Sequence, residues 1–315
     1  MKKSTITCDM EGRILTMNDG AEQIFGYPKE ELIGKKRVSI FSPGEIVLQN
    51  VEGWLDEAVK KGEYIGKTYF IKKNKEKFNA KIRITPTFAN GKDQAQTGYC
   101  GVTEVIEENV DVPINFSTKL IKGLAITRMP FTSASILPIL AVGAYFAGVG
   151  DGLFNILNFV LCIFGVIIAH LSVNVLNDYF DFKDGTDQEN NDYFQQVSGG
   201  SRAIELGLIT LAGTKKLGTI LTIVALLIGG IILFSTNPAN INAVLMITLI
   251  GLFLGYFYTA PPLRLVARRG LGELTIFLTF GPLITLGTAF AIFNGDLSMA
   301  QEHLMNCLYI GIPMG

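Results

Sequence analysis

Apolar residues occupy the second half of the chain in long runs, whereas the first third alternates apolar and polar residues over short distances. Each long run comes close to the roughly 20 residues that a helix needs to cross a bilayer. Five such runs lie at residues 131–149, 155–176, 217–234, 241–258 and 271–293, and a sixth begins near Leu304. The pattern predicts an all-α polytopic membrane bundle over residues 131–315.

The first third predicts a different fold, because its apolar positions recur every second residue. The stretch "ITCDMEGRILTM" has the pattern of two strands around the turn "EGR", and residues 66–88 and 96–108 alternate as further antiparallel strands. Short helices stand between them: "PKEELIG" has proline at its start and glycine at its end, and residues 53–62 form a helix with no evident site. We therefore expect an α+β domain over residues 1–110.

Residues 111–130 join the two parts. Pro113 favours an extended chain, and the stretch "FSTKLIKGLAITRMP" then places Lys119, Lys122 and Arg128 beside apolar neighbours. Basic residues next to apolar ones are typical of helices that lie in the membrane surface. The segment is predicted to be a short linker followed by an interfacial helix.

The charged residues divide the chain at the same place. Residues 1–130 hold 20 Lys or Arg and 17 Asp or Glu, whereas residues 131–315 hold 7 and 11. The seven basic residues of the second part all fall in the loops at 177–216 and 259–270, and the alternate loops hold none. This asymmetry predicts that those two loops and the N-terminus face the cytoplasm. The net charge of −1 gives no reason to expect a nucleic-acid partner.

Four aspartates stand three residues apart at the end of the second apolar run, in "NVLNDYFDFKDGTD". Carboxylates this close repel one another unless a cation neutralises them. If the helix continues past Leu176, one face carries the side chains of Asn174, Asn177, Asp178 and Asp181. Their oxygens suit Mg²⁺, which takes one or two carboxylates together with phosphate oxygens. A solvated acidic loop is the alternative interpretation.

Three arginines follow the fourth apolar run in "YFYTAPPLRLVARRGLGEL", and they are Arg264, Arg268 and Arg269. They are predicted on the same membrane face as the aspartates. Carboxylates that face arginines indicate an anion that binds a metal on one side and guanidinium groups on the other, and a diphosphate fits this description. The alternative is that the arginines only anchor the topology.

These two stretches, together with "SGGSRAIELGLIT", resemble the UbiA superfamily of intramembrane prenyltransferases over residues 116–315, in particular the branch that prenylates 1,4-dihydroxy-2-naphthoate in menaquinone synthesis. The resemblance implies an all-helical bundle of nine spans, about six of them present here, around a cavity that opens to the cytoplasm. It also implies two Asp-rich motifs that hold Mg²⁺. The second motif would follow the sixth span, so the sequence is expected to be C-terminally incomplete.

The resemblance also implies a reaction, the Mg²⁺-dependent transfer of a polyprenyl group from its diphosphate to an aromatic, dihydroxynaphthoate-like acceptor. The expected catalytic residues are Asp178, Asp181 and Tyr258, the metal ligands Asp178, Asp181 and Asp187, and the substrate-binding residues Asn174, Asn177, Arg202, Arg264 and Arg268. Glu273 could orient an arginine, and His303 is expected on the outer side, away from the chemistry. Two alternatives stay open: a membrane-anchored sensor that binds an isoprenoid or quinone without catalysis, and a prenyltransferase for another acceptor class such as a tetrapyrrole or an archaeal-type lipid.

The N-terminal part resembles a PAS domain over residues 3–108. The matching residues are Asp9, Gly12, Asn18, Phe25, Gly26, Tyr27, Glu31, Leu32, Gly34 and Gly101. Domains of this kind bind small ligands, sense redox or light, or mediate dimer contacts. The first 169 residues contain no histidine that could ligate haem, so a regulatory, docking or dimerisation module is the leading expectation. Cys8 and Cys100 are expected to be core residues rather than sensors, and the four cysteines lack metal or disulfide spacing.

Overall fold

The computed structural model of the protein describes residues 3–89, 91, 94–150, 152–185, 201, 203–204, 207–295 and 297–315. The chain divides into two compact units. The first comprises Met1–Gly123 with Ala203–Ile209, and the second comprises Leu124–Arg202 with Thr210–Gly315. An α+β unit followed by an all-helical unit is the predicted fold class, whereas the finer limits at residues 110 and 130 stay a prediction.

The first unit is built on a five-stranded antiparallel sheet. Its strands are β1 (Lys3–Asp9), β2 (Ile14–Met17), β3 (Tyr64–Ile71), β4 (Lys77–Thr87) and β5 (Gly98–Val105). They lie in the order β2-β1-β5-β4-β3. The predicted turn "EGR" joins β1 to β2, with Gly12 at a φ of +82° that favours glycine. The turn "KKNKEK" joins β3 to β4, so the strands predicted from the alternating pattern are confirmed.

Short helices cover this sheet and bury an aromatic core. They are α1 (Asp19–Phe25), α2 (Lys29–Leu32), α3 (Gly44–Ile46) and α4 (Glu52–Lys61). Phe25 is 1% exposed, and its ring centroid lies 4.1 Å from that of Phe41 and 5.5 Å from that of Phe78. Burial of one phenylalanine side chain stabilises a fold by roughly 1.5–3 kcal/mol, so this cluster is a main source of the unit's stability.

The cysteines of the first unit are packing residues. Cys8 is buried in β1, and burial raises the pKa of its thiol to about 11. Cys100 is only partly buried, and burial raises the pKa of this thiol as well. A thiol becomes a reactive thiolate only when its pKa falls towards neutral pH. Both thiols therefore stay protonated. Cys8 is buried as expected of a core residue, whereas Cys100 is only partly buried.

A fifth helix, α5 (Phe116–Thr127), follows the sheet. The side chain of Gln49 holds the start of this helix through three hydrogen bonds. Its Nε2 donates to the carbonyl of Pro113 at 3.0 Å, and its Oε1 accepts from the Asn115 N–H at 2.8 Å and from the Thr118 hydroxyl at 3.1 Å. The predicted helix in this segment is confirmed, and its position at the membrane surface stays a prediction.

Over the residues that the structure describes, the regular elements of the second unit are helices. Its helices are α6 (Ser133–Val149), α7 (Ile156–Asp184), α8 (Leu211–Ser235), α9 (Ile241–Phe257), α10 (Leu271–Leu278), α11 (Ile284–Ile292) and α12 (Leu297–Gly311). Five helical stretches among the described residues are long and apolar enough to cross a membrane, namely Met129–Val149, Ile156–Asp184, Leu211–Ser235, Pro238–Phe257 and Leu271–Ile292. They coincide with the five predicted apolar runs, and the protein is an integral membrane protein.

Two details differ from the predicted bundle. Helices α10 and α11 form one span through a wide π-helical turn at Thr279–Leu283, because Pro282 lacks the N–H that a regular helix needs there. The helix expected to begin near Leu304 begins instead at Leu297. Its first turns carry the polar stretch "SMAQEH", which a hydropathy window does not recognise as helical.

Close packing and buried polar groups hold the spans together. A Cβ at Gly218 of α8 would meet the Leu176 side chain of α7 at 2.7 Å, so glycine permits the two backbones to approach. Ser172 donates to the Gly218 carbonyl at 3.1 Å. At the opposite end of α7, fully buried Asn158 donates to the Ala291 carbonyl at 2.7 Å. Small residues and interhelical hydrogen bonds are the usual means of helix association in a bilayer.

Candidate active site

The acidic end of α7 is a continuation of a membrane-spanning helix. The helix runs without interruption from Ile156 to Asp184, which confirms that the polar residues after Leu176 remain helical. Asn174 is 8% exposed and Asp178 is 3% exposed. Residues spaced by four lie above one another on a helix, so these two side chains point together into the protein. A freely solvated acidic loop would not bury a carboxylate, so the solvated-loop interpretation is excluded for Asp178.

Three separate segments hold the polar face of α7. Asn174 Nδ2 donates to the Thr127 carbonyl at 3.2 Å. Asn177 Oδ1 accepts from the Thr259 hydroxyl at 2.6 Å. Asp178 accepts from the backbone N–H of Ser201 at 3.0 Å and from the Ser201 hydroxyl. Ser201 therefore holds the buried carboxylate of Asp178 through two hydrogen bonds.

The arginine loop after α9 returns to the same helix end. A guanidinium nitrogen of Arg264 lies 3.0 Å from a carboxylate oxygen of Asp184. Arg264 has a φ of +43°, a backbone conformation that costs a non-glycine residue of order 1 kcal/mol. Strain of this kind persists where the surroundings require it and is frequent at functional sites. The structure thus brings one cation of the loop to the carboxylates of α7.

Arg268 has a different environment from Arg264. Its Nε donates to the Leu263 carbonyl at 2.5 Å, and a terminal nitrogen lies 3.4 Å from the Pro262 carbonyl. The side chain therefore binds the backbone of its own loop and does not face the aspartates. Two other predicted site residues, Asp187 and Arg202, lie outside the described residues.

Tyr258 directly follows α9 and is partly buried. The pKa of its phenol is raised, first by burial and then by the negative charges of Glu273 and Asp181. The hydroxyl is therefore protonated at neutral pH and lies within electrostatic reach of both carboxylates. Glu273 was expected to orient an arginine. Within the described part of the chain it forms no ion pair, and its negative charge contributes to the raised pKa of Tyr258.

The oxygen donors at this end of α7 fit a Mg²⁺ ion held jointly with a phosphate. Within the described residues, no three His, Cys, Asp or Glu side chains converge to form a closed metal cage. Mg²⁺ does not need one, since it keeps several waters and binds through one or two carboxylates plus substrate phosphates. Asp178 and Asp181 are one helical turn apart, and side chains at this spacing are neighbours on the helix surface.

Sequence reasoning did not identify several of these contacts. Ser201 and Thr259 reach α7 from 23 and 82 residues away in the chain, and no local pattern reports such a distance. Asp184 and Arg264 both stand in stretches that the sequence analysis quotes, but the sequence does not show that they form an ion pair. Ser201 does lie in the quoted stretch "SGGSRAIELGLIT", which was the available signal.

A comparison with known families decides the classification. The model of the UbiA prenyltransferase family matches residues 135–315, more than half of the chain. The chain belongs to the UbiA prenyltransferase family. A PAS domain model matches residues 2–105 of this UbiA-family protein, so both resemblances inferred from the sequence are confirmed.

Three curated proteins illustrate what the UbiA-family chain is similar to. A chloroplastic 2-carboxy-1,4-naphthoquinone phytyltransferase of Arabidopsis thaliana is 30% identical over 234 residues, 73% of this chain and 53% of that protein. A 2-carboxy-1,4-naphthoquinone phytyltransferase of Synechocystis sp. is 28% identical over 190 residues, 60% and 56% of the two chains. The UbiA prenyltransferase domain-containing protein 1 of Xenopus tropicalis is 28% identical over 155 residues, 49% and 41%. The chain spans about half the length of these relatives.

Proposed function

We propose that this protein transfers a polyprenyl group from its diphosphate to an aromatic acceptor in a Mg²⁺-dependent reaction. Membership of the UbiA family supports the reaction class. The observation that carries the proposal is the approach of Arg264 to Asp184 at the end of α7 that also carries buried Asp178. A diphosphate needs both kinds of group, metal-binding carboxylates on one side and a guanidinium on the other.

Each residue of the site has a role in this proposal. Asp178 and Asp181, with Asp187 as a later carboxylate, would hold Mg²⁺, and the amides of Asn174 and Asn177 would support the bound diphosphate. Mg²⁺ supplies neutralisation of the charge that develops on the leaving diphosphate. The arginines share that task, and the residues proposed for it are Arg202, Arg264 and Arg268.

The proposed chemistry begins when the C–O bond to the diphosphate breaks and its electron pair leaves with the phosphate. A ring carbon of the acceptor then attacks the allylic cation, forms the new C–C bond and loses a proton. The membrane bundle excludes water that would otherwise capture the cation. Protonated Tyr258 presents its ring beside this path, since aromatic faces attract cations.

The acceptor is proposed to be a dihydroxynaphthoate-like ring, which would place the protein in menaquinone or related quinone synthesis. Support comes from two of the similar proteins, whose names describe a 2-carboxy-1,4-naphthoquinone phytyltransferase. The test is diphosphate release by the full-length protein in membranes, measured with a polyprenyl diphosphate, Mg²⁺ and a panel of phenols, naphthols and tetrapyrroles. We expect release only with a dihydroxynaphthalene-type ring.

The presence of a PAS domain favours one other candidate, a sensor that binds an isoprenoid without converting it. The same experiment separates the two functions. A sensor binds the polyprenyl diphosphate but releases no diphosphate with any acceptor, and that outcome would reject the transferase.

The PAS domain is proposed to regulate the enzyme through α5. This helix begins at Phe116 in the first unit and ends at Thr127 in the second. In the middle of the helix, Lys122 pairs with Glu45 at 2.5 Å, in addition to the three hydrogen bonds that Gln49 forms near the start. At its end, the Thr127 carbonyl accepts from Asn174 of the acidic face. A helix whose residues belong to both units is a physical route by which a ligand or partner of the PAS domain can shift the site.

Substitution Gln49→Ala tests this route. We expect turnover to change by up to about tenfold, because neutral hydrogen bonds contribute on the order of 1 kcal/mol each and the change releases the start of α5. Deletion of residues 1–112 should leave measurable basal activity. The control is Gln23→Ala, which alters an exposed glutamine of the same unit and should leave turnover unchanged.

Two outcomes of this experiment would contradict the regulatory role. Equal turnover in wild type, Gln49→Ala and the deletion variant would show that α5 transmits nothing. A deletion variant that inserts normally but has no activity would make the PAS domain a structural part of the enzyme.

The N-terminus and the acidic end of α7 are proposed to face the cytoplasm. The described basic residues of the second unit support this. Lys183 lies at the end of α7, Lys215 and Lys216 lie in the first turns of α8, and the arginine loop joins α9 to α10. Because consecutive spans alternate in direction, these positions belong to one side of the bundle. Protease added to inverted membrane vesicles should remove the PAS domain. Protection of the domain in these vesicles would show that the N-terminus lies on the opposite side of the membrane.

A PAS-mediated dimer is also proposed, and chemical crosslinking that yields only monomers would exclude it.

A further inference from the structure

His170 lies inside the second span, on the same stripe of α7 as the polar face. Asn174, Asn177 and Asp181 follow it by four, seven and eleven residues, the spacing of one helix face. With a rise of about 1.5 Å per residue, His170 is about 12 Å deeper in the bundle than Asp178. A molecule that extended inward along this face of α7 from a diphosphate at the helix end would pass His170.

The contacts of His170 point it into the bundle. Its Nδ1 lies 2.6 Å from the hydroxyl of Ser135, which is 1% exposed on α6. The edge of its ring faces Phe280 in the fifth span, with 5.3 Å between centroids. The side chain thus stands between the first and fifth spans rather than in lipid. Within the described residues, the hydrogen bond of His170 uses Nδ1, and the ring is partly buried.

An ionisable side chain within a membrane span is costly, faces the protein interior and usually marks a substrate or proton path. Histidine is suited to proton transfer, because its neutral ring carries an N–H donor on one nitrogen and a lone pair on the other. A hydrogen bond to one ring nitrogen sets the role of the other. If Nδ1–H donates to Ser135, then Nε2 carries the lone pair that can accept a proton.

We propose that His170 binds a ring hydroxyl of the aromatic acceptor and takes its proton during prenyl transfer. This rests on the proposed transferase function and adds the group that activates the acceptor. Nε2 accepts the hydroxyl proton, and the electrons of that O–H bond increase the electron density of the ring. As the C–O bond to the diphosphate breaks, the ring carbon forms the C–C bond, and the ring becomes a keto tautomer in which the former hydroxyl oxygen is a carbonyl.

The remaining proton transfers close the reaction. The attacked carbon loses its own proton to the departing diphosphate, and Nε2–H returns its proton to the ring oxygen. One proton leaves with the diphosphate, no electron is gained or lost, and His170 is neutral again. Ser135 acts as a positioning residue, because it fixes the ring orientation and the tautomer without contacting the acceptor.

The experiment uses the full-length protein in membranes and two measurements. The first is equilibrium binding of a 1,4-dihydroxynaphthalene probe under reducing conditions, without Mg²⁺ or prenyl diphosphate. The second is kcat and KM for the same probe in the complete reaction. We expect His170→Ala to weaken binding about tenfold and to lower kcat by about 10²–10⁴-fold, the usual range for loss of a general base.

Two further variants separate chemistry from packing. Glutamine can form the hydrogen bond but cannot take a proton at neutral pH, so His170→Gln should restore binding to within about threefold while kcat stays low. Ser135→Ala should lower kcat by about tenfold with little change in binding. His303→Gln is the matched control: this second histidine also has Nδ1 on a hydroxyl, that of Tyr145 at 2.8 Å, and its replacement should change neither quantity.

The outcomes distinguish this inference from the proposed function. Unchanged binding and kcat in His170→Ala would overturn the role of His170 while the transferase remains. A wild-type protein that binds the probe through His170 but transfers nothing would support the site and reject the reaction. Equal loss in His170→Gln and His170→Ala of both binding and folded protein would show that His170 serves packing only.

Discussion

Asp178→Asn is expected to lower prenyl transfer at least about a thousandfold while membrane insertion stays normal. The substitution removes one negative charge and almost no volume, so helix packing around α7 is preserved. The carboxylate is 3% exposed and is proposed to bind Mg²⁺ beside the diphosphate. Loss of one preorganised electrostatic contact commonly costs about 10²–10³ in rate, and we expect the loss of this proposed metal ligand to reach or exceed the upper end of that range.

Two control variants make this result specific. Ser201→Ala removes the hydroxyl that donates to Asp178 but keeps the charge, so a loss of at most about tenfold is expected. Asp19→Asn makes the same chemical change at an exposed residue of the PAS domain that pairs with Lys29, and turnover should be unchanged. Full activity of Asp178→Asn would show that Asp178 is not a metal ligand.

Arg264→Ala is expected to lower kcat/KM for the polyprenyl diphosphate about a hundredfold. The guanidinium is the described cation of the arginine loop that reaches the carboxylates of α7, at 3.0 Å from Asp184. Arg264→Lys should recover only part of the activity, because an ammonium group lacks the planar fork that matches phosphate oxygens. Kinetics in which the concentration of the polyprenyl diphosphate is varied measure the effect.

The partner of Arg264 should behave differently. Asp184→Asn keeps the guanidinium of Arg264 and weakens only the ion pair that positions it, so kcat/KM should fall by less than about tenfold. Arg269→Ala is the matched control, since this exposed arginine lies in the same loop. If Asp184→Asn were as damaging as Arg264→Ala, the ion pair would matter for the loop's structure rather than for diphosphate binding.

The fold could be inferred from the sequence because its signals are local. Alternation predicted the strands of the PAS domain, and runs of apolar residues predicted the five spans. The start of α12 was missed, because the residues after Leu297 are polar. There, His303 lies 2.8 Å from Tyr145 of α6, and a tertiary contact of this kind stabilises a helical turn that hydropathy does not show.

The site could be inferred only in part, because its partners are distant in the chain. Spacing placed Asn174, Asp178 and Asp181 on one face, since a helix repeats every 3.6 residues. It could not show that Ser201 would contact Asp178, or that Arg268 would bind its own loop. His170 escaped notice because one histidine within an apolar run has no local pattern. Its meaning appears only with Ser135, 35 residues away.

Analysis of the reaction product is the decisive test of the proposed aryl prenyl transfer at the acidic end of α7. Full-length protein in membranes would be incubated with a polyprenyl diphosphate, a dihydroxynaphthoate and Mg²⁺, and the extract analysed by mass spectrometry. The account predicts a ring-prenylated product and an equal amount of diphosphate, both lost in Asp178→Asn and on chelation of Mg²⁺. Binding of both substrates without product, or diphosphate released without a new carbon–carbon bond, would contradict it.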